Sequence, residues 1–452
     1  MSAAAAESLA SVQRGSAKTR HGFRAVAQSI ASKALILGLQ AATGILTARA
    51  LRPWGRGELA AMILWPLLVA SVTTLGVPSS LIYYLRHRPE ERERLISNGF
   101  LMSVILGVVA AALTTLVLPW SLRQYSAPIL HAAEWFLITV PLCSMTLAGR
   151  AVLEASHDFY ASNAIQTLTP FATLIGLLIF LSMHQLTPYT AAIAYIAASI
   201  PAFWFMARRV RKVCSRPARA SGAVMKQILG YGIRSYGIDV LGTLALYVDQ
   251  VLVIGLLSPG AMGSYVVVLS LSRMLNLFQN SVVMVLFPKA AGRPREDVVA
   301  MTGECVRISG LVTVFCGVFV CLAGPTLLRI LYGSEYVAAT GALRILVVEV
   351  VLSGATFVLA QAFMALDRPG VVTILQAIGL SLSIPMMLLL IPRYGIYGAA
   401  VSLLTSTVAR LLFVYCAYWI FLRIKPPSLL PSSRDVKLLW GSLMASRTER
   451  AA

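Results

Sequence analysis

Stretches of twenty or more mostly apolar residues recur along almost the whole chain, and no other feature limits its fold as much. A helix needs about 20 such residues to cross a bilayer. They fall at roughly 25–48, 59–83, 98–118, 132–153, 161–182, 188–207, 228–257, 262–287, 303–323, 341–363, 371–391 and 396–420. With 58% hydrophobic and 12% charged residues among 452, little is left for a soluble domain. The pattern predicts an all-α polytopic membrane protein of about 12 transmembrane helices.

The formal charge of +20 comes from 38 Lys and Arg against 18 Asp and Glu. Its distribution is one-sided. With the N-terminus inside, Arg86-His87-Arg88, Arg208-Arg209-Val210-Arg211-Lys212 and Arg293-Pro294-Arg295 all fall on the cytoplasmic face, which is the positive-inside arrangement. Such a face attracts anionic membrane lipids. No aromatic platform interleaves the basic runs, so they are not read as a nucleic-acid site. The run Arg49-Ala50-Leu51-Arg52-Pro53-Trp54-Gly55-Arg56 breaks the pattern with three Arg on the outer face. It is either a tolerated exception or a site for an anionic group. Residues 1–24 read as a cytoplasmic tail that lacks the short apolar core and cleavage site of a signal peptide. Residues 423–452 read as a second cytoplasmic tail.

Between Tyr231 and Lys289 two apolar helices, joined through Ser258-Pro259-Gly260, carry Arg234, Asp239, Asp249 and Arg273. A charge at bilayer depth costs at least ~2.5–3.5 kcal/mol on insertion scales, so such residues face a partner or a wet cavity. Four together predict a polar chamber. At about 1.5 Å per residue, Asp249 and Arg273 lie at similar depths below the outer ends of their helices and are expected to pair. Lys33 and Asp239 lie at similar heights above the inner face and are expected to approach across a central cleft. Helical spacing groups Gln40 with Lys33, and Asn276 and Asn280 with Arg273. The competing reading is a structural ion pair for the charges and interhelical hydrogen bonding for the amides. Glu349, Arg344 and Arg410 are read as structural.

The chain also repeats itself. Leu46, Leu51, Pro53 and Gly57 coincide with Leu252, Leu257, Pro259 and Gly263 at a constant spacing along the sequence. Both stretches join a long helix to the next through a turn on the outer face, and six spans separate them. An even number restores the orientation, so the halves are expected to be parallel repeats about an axis along the membrane normal. Pro and Gly punctuate helix ends in any case, and coincidence is the competing explanation. The resulting division is an N-terminal lobe at 25–207, a basic linker at 208–227 and a C-terminal lobe at 228–422.

Several runs resemble one known family. They are Thr43-Gly44-Ile45-Leu46-Thr47-Ala48-Arg49-Ala50-Leu51, Gly55-Arg56-Gly57-Glu58-Leu59-Ala60, Leu75-Gly76-Val77-Pro78-Ser79-Ser80, Tyr247-Val248-Asp249-Gln250-Val251-Leu252, Gly263-Ser264-Tyr265 and Leu331-Tyr332-Gly333-Ser334-Glu335-Tyr336. Their order and spacing, over about residues 25–422, resemble the Wzx-type polysaccharide transporters of the multidrug/oligosaccharidyl-lipid/polysaccharide exporter superfamily. The resemblance implies two pseudo-symmetric six-helix lobes around a central cavity that opens to one side at a time. It implies a bacterial cytoplasmic (inner) membrane flippase that moves undecaprenyl-diphosphate-linked oligosaccharide from the cytoplasmic to the periplasmic leaflet. The product would serve exopolysaccharide, capsule or O-antigen synthesis, with a polysaccharide polymerase and glycosyltransferases as partners. Arg273 stands where many relatives carry a neutral or acidic residue, so no family role is carried to it.

Such a substrate needs cations for its diphosphate and polar groups for its sugars. Arg suits phosphate through its bidentate donor fork. Lys33, Arg234 and Arg273 are the candidates for the headgroup, and Gln40, Asn276 and Asn280 for the sugars. Asp239 and Asp249 either carry coupling protons or sodium, or neutralise the neighbouring cations. Multidrug or peptidoglycan-precursor transport shares the same architecture and stays open. A membrane-embedded polysaccharide polymerase would need a large outer loop or a His/Asp/Glu constellation, whereas His21, His87, His131, His157 and His184 are scattered singly. The six cysteines form no CxxC or Cys/His cluster, and no nucleotide-binding loop is present. The chain is therefore read as a transporter without cofactor or metal, and not as an enzyme.

Overall fold

The computed structural model describes residues 3–429 except 215, 217 and 291, with side chains from residue 32 onward apart from 238, 284, 285 and 287–289. The part of the C-terminal tail beyond residue 429 lies outside the described residues. The described chain is helical, without strands. In order it forms α1 (Ala3–Val72), α2 (Val77–His87), α3 (Arg92–Ser121), α4 (Ala127–Phe136), α5 (Val140–Ala155), α6 (Phe159–Ser182), α7 (Pro188–Ala197), α8 (Ser199–Val213) and α9 (Gly222–Leu256). Then follow α10 (Pro259–Arg273), α11 (Asn276–Ala290), α12 (Arg295–Leu327), α13 (Thr340–Ala365), α14 (Pro369–Tyr394) and α15 (Ile396–Ala417).

Ten stretches of the described chain are long and apolar enough to cross a membrane, and the bent pair Pro259–Arg273 with Asn276–Val283 makes an eleventh. One of the ten, Ser32–His87, has 56 residues. At 1.5 Å each it would run about 84 Å, nearly three times a ~30 Å hydrocarbon core. It therefore supplies two crossings. The chain breaks at Arg52, whose φ of 58° and ψ of 178° are not helical, and resumes at once with Pro53, a residue suited to a helix start.

Three expectations need correction. The segment 49–58 is not a loop, since it is helical on both sides of Arg52. The second span is interrupted between Val72 and Val77, where Leu75 and Gly76 take positive φ of 42° and 73°. A side chain at Gly76 would collide with the carbonyl of Gly232 in α9, so glycine is required there both by conformation and by contact. The eighth span is not straight. It bends by 43° between Arg273 and Asn276, just after Ser270 and Ser272 donate back to Val266 O and Leu269 O at 2.7 and 2.9 Å. Such bonds compete with the helical ladder and bend it. Arg273 thus does not share one straight helix face with Asn276 and Asn280.

The buried apolar residues form three clusters. One is shared by both halves and lies at the end away from the basic runs, where Leu59, Met62, Leu118, Met262, Tyr265, Leu343 and Ile391 pack together. At the basic end there are two separate cores. Leu81, Leu95, Val152, Ile165 and Met206 of the first half form one, and Leu286, Val298, Leu359, Phe363 and Tyr418 of the second half form the other. The halves share one core at the far end and keep separate cores at the basic end. Val224 and Ile228, at the start of α9, belong to the first half's core.

The fusion contains a reciprocal contact. A Cβ on Gly57 would overlap Pro259 O, and one on Gly263 would overlap Pro53 O. The Pro and Gly positions that align in the repeat therefore meet each other across the interface, as a two-fold relation between the halves requires.

Candidate functional site

The expected pair of Asp249 and Arg273 is present. Asp249 is fully buried, and its Oδ2 accepts from Arg273 Nη2 at 3.1 Å and from the Tyr265 hydroxyl at 2.8 Å. Arg273 also donates to Leu246 O at 3.2 Å. Asp249 Oδ1 has no hydrogen-bond partner among the described residues. In the sequence Tyr265 stands only within the run Gly263-Ser264-Tyr265, with no role assigned to it. A phenol inside an apolar helix needs a partner for its hydroxyl, and that was the available signal.

A second buried set lies nearby. Thr407 Oγ1 donates to Glu349 Oε1 at 2.7 Å, and Arg410 Nη2 donates to Thr407 Oγ1 at 2.8 Å. Arg410 and Glu349 are 4.0 Å apart, and Glu349 is within electrostatic reach of Arg273. Two carboxylates and two guanidiniums thus form one network inside the second lobe. Its formal charges cancel, and Arg273 already fills the position beside Asp249 that a coupling cation would take.

The remaining candidates lie outside this network, and Gln40 lines a cavity of the first lobe. Lys33 and Gln40 on α1, Arg234 and Asp239 on α9, and Asn280 on α11 are exposed, and Asn276 is half-buried. Charged side chains exposed at membrane depth are costly against lipid and belong in a wet cavity. Asp239 Oδ2 accepts from Ser79 Oγ at 3.4 Å, a contact between α9 and α2. Next to these groups, Tyr83 stacks on Tyr231 at 4.4 Å and on His87 at 4.2 Å between centroids. Ser80 Oγ donates to Ile228 O at 2.8 Å, so α2 and the start of α9 are tied together.

At the far end two arginines of the exceptional run, Arg49 and Arg52, hold the segment that follows α12. Arg49 donates through Nε to Leu331 O at 2.9 Å and through Nη2 to Ile330 O. Arg52 Nη1 lies 3.6 Å from Glu335 Oε1. Arg56 is buried within electrostatic reach of Tyr332 and Tyr336, and Tyr336 donates to Ala48 O at 3.1 Å. These arginines therefore join the lobes. Carbonyls at a helix C-terminus attract cations, which explains their place on the outer face. Among the described residues no group of three or more His, Cys, Asp or Glu side chains could hold a metal ion.

The model of the family described as "Polysaccharide biosynthesis protein" matches residues 46–341. The chain belongs to that family. A curated relative, the probable low-salt glycan biosynthesis flippase Agl15 of Haloferax volcanii, is 25% identical over 160 residues, which is 34% of each chain. The chain thus spans about a third of the length of the curated relative it matches. Among solved structures it is similar to the lipid II flippase MurJ in an inward closed conformation, with a TM-score of 0.74 at 14% identity over 88% of both chains. It is also similar to an inward-facing multidrug resistance transporter of the MATE family, in the MOP superfamily, with a TM-score of 0.68 at 14% identity over 92% of this chain and 96% of that one. For an outward-facing MATE transporter the TM-score is 0.60, at 15% identity over 86% and 93%. These likenesses show the fold alone, two lobes of helices, and the long apolar stretches make the chain a multi-pass membrane protein.

Proposed function

We propose that the protein flips an undecaprenyl-diphosphate-linked oligosaccharide from the cytoplasmic to the periplasmic leaflet of a bacterial inner membrane by alternating access. The basic end is then cytoplasmic, with both termini on that side. The observation that carries this reading is the pair of separate cores at the basic end, together with the exposure of the cations Lys33 and Arg234. A cleft open to the cytoplasmic leaflet can admit a lipid-linked headgroup sideways while its tail stays in lipid. Guanidinium and ammonium groups attract the diphosphate there. The higher similarity to an inward closed and an inward-facing transporter than to an outward-facing one supports the inward orientation.

Of the candidates named above, Lys33 and Arg234 take the diphosphate and Gln40, Asn276 and Asn280 offer sugar contacts. Lys33 and Asp239 come together as the cleft closes. Asp249 and Arg273 hold the second lobe together and balance each other's charge, which leaves Asp239 as the group to couple a proton or sodium.

The test is a strain lacking the gene and any paralogue. Lipid-linked oligosaccharide should accumulate in the cytoplasmic leaflet and surface glycan should fall. Normal surface glycan in that strain would sink the proposal. Accumulated peptidoglycan precursor or lost drug resistance would point to the other substrates that the fold can serve.

A further inference from the structure

The first lobe encloses a cavity of about 360 Å³, lined by residues of α1, α5, α6, α7 and α8 and by Thr139 just before α5. No residue of the second lobe lines it, and the charged network of that lobe is not part of it. At the low end of the ~300–1,000 Å³ typical of ligand sites, it has room for one or two sugar rings.

Its serine and threonine hydroxyls all act in one direction, while the Gln40 and Gln166 amides add donors. Thr43, Ser71, Thr146, Thr169, Thr173 and Ser199 all line it, and each donates its proton to a carbonyl of its own or the preceding helix at 2.6 to 3.5 Å. A hydroxyl that has spent its proton offers lone pairs. The Gln166 amide also lines the cavity and is engaged by none of the described residues. Arg150 is the one formally charged residue in the lining. It is already held by Glu154 at 3.6 Å and by Ser162 Oγ at 3.5 Å.

These features select among ligands. An anion would meet these hydroxyl acceptors and a cation that already has its counter-charge, with only neutral groups to donate to it. A purely apolar group would strand the Gln166 amide without water, at a cost of about 1–3 kcal/mol. A neutral saccharide satisfies both demands. Its hydroxyls donate to the spent threonine and serine oxygens, and its apolar ring faces lie against Ile63, Leu67 and Tyr195, which share the lining.

We infer that this first-lobe cavity is a binding subsite for neutral sugar residues, apart from the cationic groups that face the diphosphate. The inference rests on the flippase reading and adds to it the place where the sugars are read. The test uses the full-length purified protein in detergent, with its thermal transition followed in the presence of maltotriose, chitotriose, xylotriose, sodium pyrophosphate or farnesol. At least one trisaccharide should raise the melting temperature by about 2 °C or more. The rise should vanish in Gln166→Leu and in Thr169→Val, two variants that can each be checked for folding by their own transition. No rise with any trisaccharide, or an equal rise in both variants, overturns the inference. Stabilisation by pyrophosphate that is lost in Arg150→Met, or by farnesol alone, overturns it too. If the flippase reading itself is wrong, the failure shows elsewhere, as normal surface glycan in the deletion strain.

Discussion

Gly57 and Gly263 occupy matching positions of the two halves, and each lies against the carbonyl of the other half's proline, Pro259 and Pro53. The contact needs the absence of a Cβ on both sides. It belongs to the face where the lobes are fused and must separate if the cavity is to open there.

Adding a methyl at either position should therefore loosen the far end. Overpacking of this kind costs about 1–3 kcal/mol, enough to shift the closed-to-open ratio roughly five- to a hundredfold or more. Spin labels at Trp54→Cys and Ser258→Cys should report longer and broader distances in Gly57→Ala/Gly263→Ala than in the parent. Unchanged distances would show that the contact does not hold the end shut.

The buried pair in the second lobe should behave asymmetrically under mutation. Asp249→Asn leaves Arg273 facing Tyr265 without a counter-charge, and a loss of about 3 kcal/mol is expected. Asp249→Leu/Arg273→Leu should recover much of that loss, because it removes both charges together. Thermal unfolding of the singles and the double in one detergent checks this. Exchanging the charges, Asp249→Arg with Arg273→Asp, should give more activity than either single change.

Of the far-end arginines, Arg49 should matter more than Arg52. Arg49→Ala leaves two backbone carbonyls without their donor, at about 1–2 kcal/mol. The Arg52–Glu335 pair is exposed on both sides, at 77% and 46%, so Arg52→Ala should stay within about 0.5 kcal/mol. Melting temperatures of the two variants rank them directly, and a larger fall for Arg52→Ala would refute the ranking.

Neutralising the cleft should impair transport and leave the fold alone. Lys33→Gln and Arg234→Gln change side chains that are exposed, so their thermal transitions should match the parent's. Surface glycan in complemented deletion strains should fall by about tenfold for each, the equivalent of one lost charge-assisted contact of ~1.4 kcal/mol.

The sequence made some of this legible for identifiable reasons. Asp249 and Arg273 could be paired because depth along a helix is simple arithmetic, and the paired prolines and glycines could be aligned because the halves share a spacing. The bend after Arg273 was hidden, since no Pro or Gly marks it and the responsible serines look ordinary in a membrane helix. The roles of Arg49 and Arg56 were hidden too. What receives them lies some 280 residues onward, and only folding brings it near. The parting of the cores at one end could not be read at all, because apolar residues that pack within a lobe and between lobes have the same composition. For the same reason the first-lobe cavity was invisible: its threonines and serines already bond their own helices, and nothing in their spacing shows that they enclose a space.

Helix α9 begins in one body and ends in another. Val224 and Ile228 are locked into the first half's core, Val253 and Ile254 into the shared one, and between Ile228 and Asp249 every described residue except Gly232 is at least partly exposed. That same stretch holds Gly230, Gly232, Gly237 and Gly242, each about 1 kcal/mol weaker in a helix than alanine. The join between these two cores therefore runs through the middle of a helix. A rocking motion of the lobes would have to flex α9 like a leaf spring, and Arg234 and Asp239 ride on the part that flexes.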